Sequence, residues 1–228
     1  MTEVLKHAHS ATVRAWVDGW VISRNAPRPV PEPWGLRVDV GLPGHVARHV
    51  VPTPTAEILD HLTGALTVPG TWLKLCAPAE AVAPSLPARW SVQEQEYMMT
   101  TASLARTTPK APAGYTLAIT TRAGVTVARL LTAAGEVAAR GQFAVADRAA
   151  VIDQVETAAE HRRRGLGTVV MAALAAAAVS RGARTGILVA TEAGQALYET
   201  LGWTLHTPMT AAVLTAADPA EEEPAVRP

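Results

Sequence analysis

The residues whose types and spacing could do chemistry concentrate in VIDQVETAAEHRRRGLGTVVMAAL (151–174) of this 228-residue chain. A β-branched run, Val151–Val155, leads through a polar turn to Arg162, Arg163, Arg164, Gly165, Leu166 and Gly167, and an apolar small-residue run follows. Successive backbone N–H groups in such a turn point to one side, and the start of a helix adds partial positive charge there. Together they suit a diphosphate. Gly165 and Gly167 let a ligand approach the backbone, and three guanidinium groups can neutralise further phosphate charge. The plain alternative is a helix start with solvated arginines. The dinucleotide pattern G-x-G-x-x-G and the eight-residue Walker pattern are both absent.

The turn needs a strand before it and a helix after it. Strands are expected at Tyr115–Thr120, Val125–Leu131, Glu136–Ala146 and Ala149–Thr157, then a helix Gly165–Arg181 ended by Gly182. A buried strand Ile187–Ala190, a helix Glu192–Leu201 stopped by Gly202 and a strand Trp203–Met209 complete this half. TTPKAPAG (107–114) reads as a linker. Ahead of it the pattern gives a helix around Val13–Ser23, strands Leu36–Val40 and Ala47–Val51, and a helix near Thr55–Leu66. A strand Trp72–Cys76, a short helix near Ala79–Leu86 and a strand Ser91–Thr100 follow. The first ten residues and the tail from about Ala216 read as disordered.

Composition sets limits. Hydrophobic residues at 49% and charged residues at 18% suffice for a core. Zero formal net charge gives no electrostatic case for nucleic acid. Cys76 stands alone, which excludes an internal disulfide or a cysteine zinc site. No apolar segment opens the chain, and the longest apolar run, Val169–Val179, is too short to span a bilayer. A cytoplasmic protein with no membrane partner is expected. The two halves also resemble each other: TWLKLCAPAEAVAPSLPARWSV (71–92) lies over TGILVATEAGQALYETLGWTL (185–205) with a one-residue gap. A degenerate duplication and a chance likeness of strand–helix–strand units both account for that.

The segment Arg162–Gly167 resembles the coenzyme A loop of the GNAT superfamily of N-acetyltransferases, [RQ]-x-x-G-x-[GA], with Arg162, Gly165 and Gly167 at its fixed positions. AGQALYETLGW (193–203) is similar to the family's second signature, A-x-x-L-Y-x-x-x-G-[FW]. The resemblance covers roughly Tyr115–Met209. It implies acetyl-CoA held between parallel strands that splay apart, Ala149–Thr157 and Ile187–Ala190. Val155 and Thr157 would lie beside the pantetheine arm, and the amides of Arg163, Arg164, Gly165, Leu166, Gly167 and Thr168 would bind the pyrophosphate. Thr191 stands where many members carry an asparagine that contacts the cofactor. Tyr198 matches the tyrosine that protonates the departing thiolate, against a core tyrosine as the plain alternative. Asp153 shares strand parity with Val155 and Thr157, and relatives often place a base there; Glu156 has the opposite parity. A structural hydrogen-bonding role is the alternative for Asp153. Glu160 and His161 are expected to be solvated.

The family's two helices between its first two strands are missing here, because only TTRAG (120–124) joins the corresponding strands. The N-terminal half has no phosphate loop, since Val51 runs into PTPTAEILDHL. The expected fold is therefore α/β (α+β), a GNAT-like mixed sheet with splayed central strands, in two GNAT-like halves. The expected organisation is a degenerate N-terminal domain over 1–106, an acetyl-CoA-binding domain over 115–215 and a tail over 216–228. The N-terminal half is expected to wall the acceptor site, through Trp16, Trp20 or Trp34, or to keep these in its core. His45, His49 and His61 read as surface and loop positions. The expected activity is direct transfer from acetyl-CoA to a small-molecule or protein amine in a ternary complex, without metal, by a monomer or homodimer. The alternative is a coenzyme A-binding scaffold without turnover.

Overall fold

Residues 10–216 are described by the computed structural model. The expectations for residues 1–9, and for the tail beyond residue 216, lie outside them. Helix α1 (Ser10–Arg24) buries Val13, Trp16, Val17, Trp20 and Val21, the spacing of one helical face. Three further helices, α2 (Ala56–Ala65), α4 (Leu166–Ser180) and α5 (Glu192–Thr200), fall where the sequence places them. The short helix expected near Ala79–Leu86 is one turn, α3 (Ala79–Val82), and a 3-10 turn that contains Pro84. Among the described residues, no helix is long and apolar enough to cross a membrane.

The strands are β1 (Val30–Glu32), β2 (Gly35–Val38), β3 (Ala47–Val51), β4 (Thr71–Leu75), β5 (Trp90–Val92) and β6 (Glu96–Thr101), then β7 (Tyr115–Arg122), β8 (Val125–Thr132), β9 (Val137–Ala146), β10 (Ala149–Thr157), β11 (Thr185–Thr191) and β12 (Thr204–Leu214). They form one mixed sheet in the order β1-β2-β3-β4-β12-β6-β11-β10-β9-β8-β7, with β5 also against β12. The expected strand Ser91–Thr100 is interrupted at Gln95. Its side chain accepts from the Ala79 N–H and donates to the carbonyls of Glu96 and Met209, so it ties the break to both neighbours.

Each half contains one parallel pair joined through a helix, β3 with β4 across α2 and β10 with β11 across α4. In each, the second strand runs through a small helix into a further strand, the correspondence the overlaid segments suggest. The halves also exchange strands. β6, from the first half, pairs with both β11 and β12, and residues 210–213 of β12 pair with β4 while Ala212–Leu214 meet β5. The division of the chain at 106 and 115 separates segments of sequence that share one sheet.

The sheet buries both faces. On one, α4 covers β8, β9 and β10 through Val170, Met171 and Leu174 against Leu130, Phe143 and Ile152. α1 covers the other face, packing on Val50, Met98, Val151 and Ile187 from both halves. Gly19 makes this approach possible: a Cβ there would lie 2.3 Å from Val151 Cγ2. α2 and Trp90 close the first half's remaining face.

Candidate active site

β10 and β11 pair in register only from Ala149/Thr185 to Ile152/Leu188. Beyond that the strands diverge, and the backbone of each faces a cleft of about 180 Å³ that reaches Tyr198. A β-bulge between Asp153 and Glu156 drives the splay, with Gln154 in the left-handed region at φ 53°. An extra residue in one strand bends it and re-aims the side chains that follow. Asp153 bonds to α1, and Gln154 accepts from Arg140, whose neighbour Gln142 also bonds α1. Val155 instead packs into the core beneath α4, and Thr157 Oγ1 lies near Gly167. The parity expected for Asp153, Val155 and Thr157 therefore fails at the bulge: Asp153 faces α1, while Val155 and Thr157 face α4. Glu156, expected on the face opposite Asp153, reaches 3.6 Å from Arg140 on the α1 side.

The Arg-Gly turn follows the end of β10, with Gly167 beside Thr157 and Leu197. Gly165 is the residue before α4, at φ 73°, a conformation that costs other residues roughly 1 kcal/mol or more. Arg163 is also left-handed, at φ 60°. Six successive amides, Arg163 through Thr168, find no acceptor among the described residues, so the turn presents an uninterrupted run of free donors. The guanidinium groups divide their work. Arg164 donates to Tyr115 Oη at 3.1 Å and to the Glu160 carbonyl, and Arg162 donates to the Thr157 carbonyl. Tyr115 Oη also lies 2.9 Å from His161 Nδ1, so His161, expected to be solvated, is part of this brace. Arg163 is exposed and has no side-chain partner among the described residues. Gly167 sits under Leu197, 3.2 Å from where a Cβ would be, close to the splayed strands.

Tyr198 comes from α5, whose N-terminus is capped by Thr191 accepting from the Gly194 N–H. That capping bond is the one side-chain hydrogen bond of Thr191 among the described residues. The Tyr198 ring packs near Trp203, and its hydroxyl makes no hydrogen bond among the described residues. Burial, helped by the charge of Asp153, pushes its pKa up to about 12, so it holds its proton at neutral pH. Asp153 is less free. Oδ2 accepts from Ser23 Oγ at 3.0 Å and Arg24 Nε at 2.5 Å, and Oδ1 accepts from Arg24 Nη2 and the Gln154 N–H. Those donors fill the four lone-pair positions of a carboxylate.

The first half supplies aromatic and charged groups on the α1 face of β3 and β4. Trp20 carries the Arg48 guanidinium 4.0 Å above its ring, and His45 lies between Trp20 and Trp72. Lys74 is buried and paired with Glu96. Of the three tryptophans expected near the acceptor, Trp20 alone lies in this cluster. Trp16 is buried in the core under α1, and Trp34 packs on the opposite core between His49 and His61. His49, expected at the surface, is buried at 3% exposure. Arg24, Arg48, Lys74, Glu96 and Trp72 were not singled out in the sequence, because no local pattern marks them. The alternation of β3 and β4, which puts Arg48, Trp72 and Lys74 on one face, was the available signal.

The sequence profile of the acetyltransferase (GNAT) family matches residues 87–203, a span that includes the exchanged strand β6. No curated protein matches the chain by sequence. Among solved structures, a GCN5-related N-acetyltransferase from Kribbella flavida superposes with a TM-score of 0.64 at 17% identity, over 96% of this chain and 99% of that one. A protein described as an acetyltransferase of the GNAT family from Novosphingobium aromaticivorans gives 0.60 at 19% identity, over 92% and 100%. A tandem GNAT protein from the clavulanic acid biosynthesis pathway gives 0.50 at 15% identity, over 72% and 69%. The first two likenesses span both halves, so the whole architecture is shared and not the phosphate turn alone. By its profile match over more than half its length, this chain belongs to the GNAT family of acetyltransferases.

Proposed function

We propose that the chain transfers an acetyl group from acetyl-CoA to an amine within a ternary complex. One observation carries this reading: a cleft between splayed parallel strands reaches a protonated phenol, and the six free amides follow the end of β10, with Gly167 beside Thr157 and Leu197. Bound acetyl-CoA supplies an activated thioester. The amides of Arg163–Thr168 and the start of α4 would hold its diphosphate, with Arg163 free to pair with phosphate oxygen. The unpaired edges of β10 and β11, beside Val155 and Thr157, would bond the pantetheine amides. Tyr198 Oη would donate its proton to the departing sulfur. Thr191 would act mainly by capping α5 and so placing Tyr198.

Asp153, expected as the base, could take a proton from the amine only by giving up one of its four bonds. We assign it the positioning of Arg24 and of the bulge, with the amine losing its proton to water in the cleft. That same filled carboxylate also favours the second reading, a coenzyme A-binding scaffold without turnover.

The experiment measures thermal stability with acetyl-CoA and thiol release with mixed amines. At a hundredfold excess over Kd, a ligand that binds only the native state adds about 2.7 kcal/mol. Acetyl-CoA should raise the melting temperature, and Gly167→Trp, which fills the space beside Leu197 and Thr157, should abolish the rise. No rise in the wild type ends the reading. A rise with no thiol release from any amine leaves the scaffold.

A further inference from the structure

We propose that the amine acceptor also carries a carboxylate, and that Arg48 reads it. This rests on the transferase reading and names the substrate class of the same site. Arg48 lies on β3 with its side chain on the α1 face, the face Asp153 shares. Its guanidinium is stacked on Trp20, its Nε is buried without a partner, and neither terminal nitrogen has an acceptor among the described residues. An unsatisfied buried donor is costly, and a fork held flat by an aromatic ring is preorganised for a bidentate anion. Every other charged group of the cluster is matched: Arg24 with Asp153, Lys74 with Glu96.

The charge of the cluster sets the kind of anion. Three cations, Arg24, Arg48 and Lys74, face two carboxylates, so one positive charge is left over. His45 adds none at neutral pH, because burial, with Arg48, Lys74 and Arg24 close by, lowers its pKa to about 4. Burial brings Arg48 down to about 10, still protonated, and the charges it feels are those of Glu96, Arg24 and Asp153. Trp20, under the Arg48 fork, and Arg24, paired with the Asp153 that lines the cleft, come from the same helix, α1. A singly charged carboxylate neutralises the excess, whereas a phosphate dianion overshoots it.

The test compares matched amines at saturating acetyl-CoA: glycine with methylamine, β-alanine with ethylamine, phenylalanine with phenethylamine, and the standard amino acids with their carboxamides. Thiol release and calorimetric binding are read for the wild type, Arg48→Met and Arg48→Lys. The carboxylated member of at least one pair should be preferred. Arg48→Met should raise its KM by about 30-fold or more, as expected for loss of a charge-assisted bidentate contact. Arg48→Lys should fall between, and acetyl-CoA binding should be unchanged in both. Equal use of both members, or a preference that survives Arg48→Met, overturns the carboxylate subsite while the transferase stands. Preference for aminomethylphosphonate, or for a lysine peptide without a free carboxylate, overturns it too. If no amine releases thiol, carboxylate-dependent calorimetric binding that requires Arg48 still supports the subsite, and its absence removes it.

Discussion

At the scale of the residue, the proposed site separates proton donation from charge pairing. Tyr198→Phe keeps the ring packed near Trp203, so acetyl-CoA affinity by calorimetry should hold while turnover falls roughly 10²-fold, the lower end for loss of a general acid. Full activity in this variant would return Tyr198 to the core. Asp153→Asn separates the two roles open to that residue. As a base, its loss would cost about 10²–10⁴-fold and remove the acidic limb of the rate profile. With its lone pairs filled by Ser23, Arg24 and Gln154, the expected loss is under about tenfold with the limb retained. The glycine turn before α4 and the helix that carries Tyr198 were legible because each depends on a few adjacent residues. The facing of Val155 and Thr157 was not, because one left-handed residue, Gln154, resets the alternation and nothing in its side chain announces it.

At the scale of the element, α1 does for this chain what its short β7–β8 connection cannot: it covers the α1 face of β9 and β10 and brings Ser23 and Arg24 to Asp153. Its period and ends were readable to within a few residues, since Val13, Trp16, Val17 and Trp20 repeat at helical spacing. Its docking partner was not, because helical amphipathicity says that a face is buried and not against what. Gly19→Ala tests the docking by its sign. In an isolated helix alanine is favoured over glycine by about 1 kcal/mol. Here the new Cβ would meet Val151 at 2.3 and 2.5 Å, backed by a full strand, and overpacking of that kind costs about 1–3 kcal/mol. The variant should unfold at lower denaturant with the slope unchanged, and Val151→Ala should recover part of the loss. A stabilised Gly19→Ala would mean that α1 does not rest on β10.

At the scale of the whole molecule, the exchanged strands decide what can fold alone. The sequence suggested two similar halves and a Pro-rich join at 107–114, and residues 107–114 lie outside any helix or strand. It could not show that each half completes the other, because strand order depends on pairings between residues far apart in the chain. Met98 and Met99 on β6, both fully buried, divide between the α1 core and the α4 core. Without β6, β11 and β12 would expose their backbone edges on either side of an empty lane, and the α4 core would lose Met99. Without β12, β4 and β5 lose the strand between them. Residues 115–216 expressed alone should therefore show no cooperative melting and no stabilisation by acetyl-CoA, and residues 10–106 should behave likewise. A protease site placed within 107–114 of the full chain gives the converse. After cleavage the two fragments should stay together through gel filtration and keep a single melting transition, because their strands interleave. A cleaved protein that separates into two folded pieces, or a fragment 115–216 that melts cooperatively and is stabilised by acetyl-CoA, would show that the shared sheet is not what holds either half.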